Sequence, residues 1–141
     1  MPILKAGKAA DFYQQKENRN MKIKIGVVGT GKVAQQNYVP CLAAAAAVDL
    51  GYYSRTRAKA EAIAAEFGGR VFDSAAALVD WEPDAILVLT RETERLEAAS
   101  EVLKANPRRL FFEKPLVARH GQADVREEDF FAARELLQEL N

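Results

Sequence analysis

One cysteine, one histidine, no long apolar run and no excess of charge: what the sequence has little of limits its chemistry first. Cys41 by itself allows no internal disulfide, which fits a reducing compartment and makes the cytoplasm the default location. The sole histidine, His120, sits in the polar stretch VARHGQADVREED with no partner at metal-ligand or nucleophile spacing, so it is read as a surface residue and no metal is expected. No window reaches the roughly 18 apolar residues of a membrane helix, because CLAAAAAVDLGYYS is broken by Asp49 and Gly51. The opening MPILKAGKAADFYQQKENRN carries no apolar run of the kind a signal peptide needs. Lys plus Arg equals Asp plus Glu at 20 each, so the chain lacks the electrostatic footprint of a nucleic-acid or anionic-membrane binder, and neither is an expected partner.

What is present suits one globular domain: 141 residues, 49% of them apolar, are enough for a single core. Met21 directly precedes the first apolar run, so residues 1–20 are read as a polar extension and 21–141 as the domain. From Lys22 onward short apolar runs alternate with longer amphipathic ones, the pattern of βαβ units and a parallel sheet. Strands are predicted at Lys24–Val28, Asp49–Tyr53, Arg70–Phe72, Ala85–Leu89 and Arg109–Phe112. Helices are predicted at Val33–Ala46, Arg57–Phe67 with Gly68 as a stop, Ser74–Val79, Thr93–Ala105 ahead of Asn106 and Pro107, and Glu127–Leu140. The fold class is therefore α/β, a Rossmann-type doubly wound parallel sheet with strand order 3-2-1-4-5 and a ligand at the carboxyl ends of the strands.

The stretch IGVVGTGKVAQQNYVPCL gives that ligand a chemistry. Gly29-Thr30-Gly31-Lys32-Val33-Ala34 is G-x-G-x-x-A placed after a strand and at the opening of a helix, the context that raises the motif above chance. Gly29 permits a tight turn, Gly31 lets the backbone approach a pyrophosphate, and Ala34 keeps helix and sheet close, while the helix start offers free N–H donors. A bare glycine turn without a ligand is the competing reading, and the position at the first strand–helix turn weighs against it.

About 20 residues past such a fingerprint an acid takes the ribose 2′-hydroxyl in NAD-preferring folds. Ser54 stands there instead, followed by Arg55, Thr56, Arg57 and Lys59. Arginine grips phosphate through paired charge-assisted hydrogen bonds, so this basic cluster predicts NADP as cofactor, with NAD the less favoured alternative. A solvated basic helix start is the competing reading, although cations at a helix N-terminus oppose its dipole.

These residues resemble the glucose-fructose oxidoreductase and inositol dehydrogenase family, Gfo/Idh/MocA, from Lys22 to about Leu116. The likeness runs through the G-x-G-x-x-A turn, SRTRAKAEAIAAEFG, VFDSAAALV and PDAILVLT to Glu113-Lys114-Pro115, the family's most specific short motif. The resemblance implies an oxidoreductase moving hydride between nicotinamide and a sugar- or cyclitol-like hydroxyl. Lys114 would lie near the nicotinamide as the catalytic residue, Glu113 and Pro115 would complete the turn, and the Lys114–Pro115 bond would be cis.

Two departures stand beside the likeness. The family's Thr-Pro-Asn, with a histidine three residues later, borders the nicotinamide ribose, whereas this chain reads Thr90-Arg91-Glu92-Thr93-Glu94-Arg95, so Thr90 alone carries over. The family's second, substrate-binding sheet domain is not in these residues. Three readings stay open: the cofactor domain of a longer protein, a truncated product, or a non-catalytic NAD(P)-binding module that senses or interacts. A bare sheet edge would favour self-association or pairing with a separate subunit.

Overall fold

The computed structural model describes residues 21–139. Five short apolar segments form one parallel sheet: β1 (Ile23–Val28), β2 (Val48–Tyr53), β3 (Arg70–Val71), β4 (Ala85–Val88) and β5 (Leu110–Phe112). Their order is β3-β2-β1-β4-β5, with every neighbouring pair parallel. The expected order is thus the observed one, and direction changes between β1 and β4, the switch point where such sheets bind ligands.

Side-chain alternation divides the core between the two faces of the sheet. Val27 and Tyr52 pack with Val39, Ala60 and Ile63 on one side. Their immediate neighbours Val28 and Tyr53 pack with Leu78, Ile86, Ala98 and Val102 on the other. The first face is covered by α1 (Val39–Ala44) and α2 (Arg57–Phe67), the second by α3 (Ala75–Asp80) and α4 (Arg95–Lys104); α5 (Glu127–Glu139) packs on α4. Among the described residues no helix is long and apolar enough to cross a membrane.

Several predicted boundaries need correction. The helix expected over Val33–Ala46 contains a π-helical turn, Ala34–Tyr38, before α1, and it ends at Ala44. Pro40 explains the widening: it has no N–H, and its ring crowds the carbonyl four residues back. The Val39 N–H bonds Ala34 O, five residues back, which opens the spiral just ahead of the proline. Beyond Ala44 the chain turns extended at Ala45, because the Val48 N–H closes a turn onto Ala45 O and Ile23 N–H takes Ala47 O. Alanine propensity carries no stop signal of its own, so the sequence overran.

The helix expected from Thr93 starts at Arg95, since Glu94 N–H closes a turn on Arg91 O. The helix expected at Ser74–Val79 lies one residue later, because Ser74 is its N-cap and its Oγ accepts from Ala77 N–H at 3.0 Å. Leu140, the expected last helical residue, and residues 1–20 lie outside the described residues.

The sheet register matters most for function. Val28 is level with Tyr53 and with Val88, and Val88 with Phe112. The residues that follow these four strand ends, Gly29, Ser54, Leu89 and Glu113, therefore leave the sheet along one edge. Four loops far apart in sequence meet there.

Candidate functional site

At that edge the loops enclose a cleft of about 850 Å³. Its floor is the glycine turn. Gly29 adopts φ +92°, its N–H bonds Tyr53 O at 3.0 Å, and a Cβ on it would lie 2.7 Å from the backbone nitrogen of Thr90. That space is not available to a side chain. Gly31 is the opposite case: a Cβ there would meet no heavy atom within 4 Å, so its backbone faces the open cleft. Thr30, Lys32 and Val33 line the same floor, and Thr30 is buried with no hydrogen-bond partner for its Oγ1 among the described residues. Ala34 is fully buried against Val27, Val39 and Leu50, which seats the helix on the sheet rather than placing it in the cleft.

The end of β2 forms a second wall, with Ser54, Arg55, Thr56 and Lys59 all at the cleft. Arg55 crosses to α4 and donates to Glu97 Oε2 at 2.7 Å. That hydrogen bond, with Glu97, Glu101 and Glu94 nearby, raises the pKa of the Arg55 guanidinium, and desolvation opposes the rise only in part. Tyr53 Oη donates to Glu101 at 3.2 Å on the same wall. Arg57 does not line the cleft: it is the first residue of α2 and pairs with Glu61, one turn on, and with Asp73.

The third wall joins Thr90 to the Glu113-Lys114-Pro115 turn. Lys114 and Glu113 line the cleft, Pro115 does not, and the Lys114–Pro115 peptide is cis, as the family resemblance implied. Thr90 is at the cleft, and its Oγ1 has no partner among the described residues. Glu113 Oε2 accepts from the Tyr38 hydroxyl, and Glu113 Oε1 accepts from Lys114 N–H at 3.1 Å. The Tyr38 hydrogen bond, ahead of Lys114 and Arg95, lowers the Glu113 pKa, while the same bond raises that of Tyr38. His120 is exposed and outside the cleft, and among the described residues no group of three or more His, Cys, Asp or Glu converges to hold a metal.

Several residues of this site were not singled out from sequence, among them Tyr38, Glu97 and Arg95. Tyr38 reaches Glu113 across 75 positions and Glu97 reaches Arg55 across 42, and neither pairing leaves a local signal. Arg95 did leave one. It falls on the stripe 95, 98, 99, 102, the spacing of a helix face, whose other members Ala98, Ala99 and Val102 are buried.

The model of an oxidoreductase family with an NAD-binding Rossmann fold, Gfo/Idh/MocA, matches residues 23–128. The chain belongs to that family. Among solved structures it resembles KijD10, a 3-ketoreductase from Actinomadura kijaniata in complex with NADP and TDP-benzene, at 28% identity and a TM-score of 0.57 over 82% of this chain and 35% of that one. It also resembles UDP-N-acetylglucosamine 3-dehydrogenase GnnA from Acidithiobacillus ferrooxidans, at 26% identity and a TM-score of 0.62 over 84% and 36%. Myo-inositol dehydrogenase from Lactobacillus casei, in complex with NAD(H) and myo-inositol, shares the fold at 20% identity and a TM-score of 0.66 over 84% and 33%. Among curated proteins no match is found. The chain thus spans about a third of the length of these Gfo/Idh/MocA structures.

A nicotinamide dinucleotide fits the residues present. Thr30 and Thr90 both line the cleft, and each carries a buried hydroxyl oxygen without a partner among the described residues. Gly31 leaves its backbone open to the cleft, at the start of the helix whose first N–H groups lack internal partners and would suit a pyrophosphate.

Proposed function

We propose that the chain is the cofactor-binding part of an NADP-preferring oxidoreductase whose substrate carries a sugar- or polyol-like hydroxyl or the corresponding carbonyl. One observation carries the reading: Lys114 lines the same cleft as the glycine turn Gly29–Val33. The cofactor, when bound, supplies the hydride acceptor or donor. The backbone N–H groups after Gly31 take the pyrophosphate, and Arg55 and Lys59, with the Ser54 hydroxyl, take a 2′-phosphate. The Lys114 ammonium stabilises negative charge developing on the substrate oxygen and is the group placed to hold or move its proton. Glu113, fixed by Tyr38, sets the turn that carries Lys114. Arg57, paired with Glu61 and Asp73, takes no part in this assignment.

The same reading starts the domain at Met21, with residues 1–20 as an extension, and gives the whole a cytoplasmic setting on the strength of its single cysteine. Titration calorimetry with NADP and NAD tests it. NADP should bind more tightly, and Arg55→Ala should weaken NADP by about 1–3 kcal/mol while leaving NAD almost unchanged. The low end is expected, because the phosphate must draw Arg55 away from Glu97. Equal losses for both cofactors, or equal affinities in the unsubstituted chain, would remove the NADP assignment.

A further inference from the structure

Two of the loops that meet at the cleft, the one after β4 and the Glu113–Pro115 turn, are joined by a single side chain. Arg95 is only 2% exposed. Its Nη1 donates to the carbonyl of Glu113 at 2.5 Å and to that of Pro115, and its Nη2 donates to the carbonyl of Thr90 at 2.6 Å. The carbonyls held by Nη1 are those immediately before and after Lys114. A second tie joins the same two segments, from Ala118 N–H to Glu92 O at 3.3 Å.

Burying a guanidinium is costly, and its burial here lowers the Arg95 pKa against the opposing pull of Glu92 and Glu113. Its hydrogen bonds go to carbonyls rather than to a carboxylate, so charge pairing does not account for its place. Geometry does. A guanidinium presents five N–H donors in a rigid plane and can hold three carbonyls from two loops at fixed spacing, whereas a lysine ammonium radiates its donors from one point. The Arg95 Nε still lacks a partner among the described residues.

We propose that Arg95 is a positioning residue: by fixing the backbone on both sides of Lys114 and tying it to Thr90, it makes the two loops at the Lys114 end of the cleft one rigid unit. The role rests on the cleft being a nicotinamide dinucleotide site. It also makes this end separable from the end formed by Ser54, Arg55 and Lys59, since the hydrogen bonds of Arg95 go to Thr90, Glu113 and Pro115.

The test compares ligands that span the cleft with ligands that fill only its adenine end. Titration calorimetry on the full chain uses NADP and NAD on one side and 2′,5′-ADP and ADP, which lack the nicotinamide half, on the other. Arg95→Lys should weaken the dinucleotides about tenfold or more and leave 2′,5′-ADP and ADP within about twofold. Loss of both ligand types alike, or of neither, overturns the proposal, since a merely structural role would not separate them. If the unsubstituted chain binds neither NADP nor NAD, the cofactor reading fails and this role fails with it. Should Arg95→Lys not fold, hydrogen exchange on the unsubstituted chain decides. The amides of Glu94 and Ala118, one in each loop, should open together and be slowed by NADP but not by 2′,5′-ADP. Independent opening, or equal slowing by both ligands, overturns the role.

Discussion

Gly29 and Thr90 approach so closely that a Cβ on Gly29 would stand 2.7 Å from the Thr90 backbone nitrogen. The first glycine of the fingerprint is therefore required by the end of β4 whether or not a ligand binds, and its φ of +92° adds a second reason. Gly31 has neither constraint from neighbouring atoms. Two glycines that read alike in sequence answer to different partners, one to the fold and one to the cleft.

That division gives the first prediction. Gly29→Ala should lower stability by about 1–3 kcal/mol through backbone strain alone, and by more with the clash, as read by urea unfolding. Gly31→Val should leave the urea midpoint nearly unchanged and abolish binding of NADP and NAD alike, because its side chain would project where the pyrophosphate approaches. Intact cofactor binding in Gly31→Val would reduce the motif to a turn.

The extent to which sequence disclosed this site follows from the range of the interactions. Strand order, the glycine turn and the basic end of β2 are written in local patterns of apolar spacing and turn residues; the order and the turn are present as read, whereas of the basic residues Arg57 lies outside the cleft. The π-helical turn was missed because Pro40 acts backward on carbonyls that propensity treats as ordinary helix. The basic cluster reads as a phosphate site, but nothing local shows that Glu97, 42 residues away, also holds Arg55. Arg95 falls within the helix expected from Thr93, and its spacing with Ala98, Ala99 and Val102 puts it on the inner face of α4, but arginine is seldom buried and no sequence pattern assigns it a role at the site.

The second prediction concerns the Tyr38–Glu113 contact. Tyr38→Phe removes the donor to a carboxylate at the cleft and should cost about 1–2 kcal/mol at neutral pH. Because the folded Glu113 pKa lies below its unfolded value, its contribution is present above about pH 4 and is lost as pH falls through the folded pKa. The difference in stability between the two proteins should therefore shrink below about pH 4. A difference constant down to pH 2 would contradict this assignment.

Tyr52 makes the opposite case at alkaline pH. It is fully buried, its hydroxyl donates to Gly68 O at 2.8 Å, and burial pushes its pKa up to about 12. A raised folded pKa means that the neutral form stabilises the fold below the unfolded pKa of about 10, and that stability is lost as pH rises from there toward the folded value. Urea unfolding between pH 9 and pH 12 should show this decline, and Tyr52→Phe should flatten it even though the substitution lowers stability at neutral pH. An identical alkaline decline in both proteins would place its origin elsewhere.

The last prediction is that the 141-residue chain binds NADP but does not turn over sugars or polyols by itself. The chain spans about a third of the length of the solved relatives it matches, and its cleft is walled by only three loop groups from one sheet edge. Hydride transfer requires the substrate carbon to be held within near-attack distance of the nicotinamide, and such positioning supplies roughly 7–11 kcal/mol of barrier reduction in favourable cases. In the proposed role Lys114 would place one charge beside a substrate oxygen, and a single charge does not orient the carbon bearing it. A panel of aldoses and polyols, followed by absorbance of the reduced cofactor, should show no rate above background, and Lys114→Ala should leave that background unchanged. Turnover abolished by Lys114→Ala would instead mean that these residues complete an active site, and the size of the active species would then tell whether a second copy supplies the missing wall.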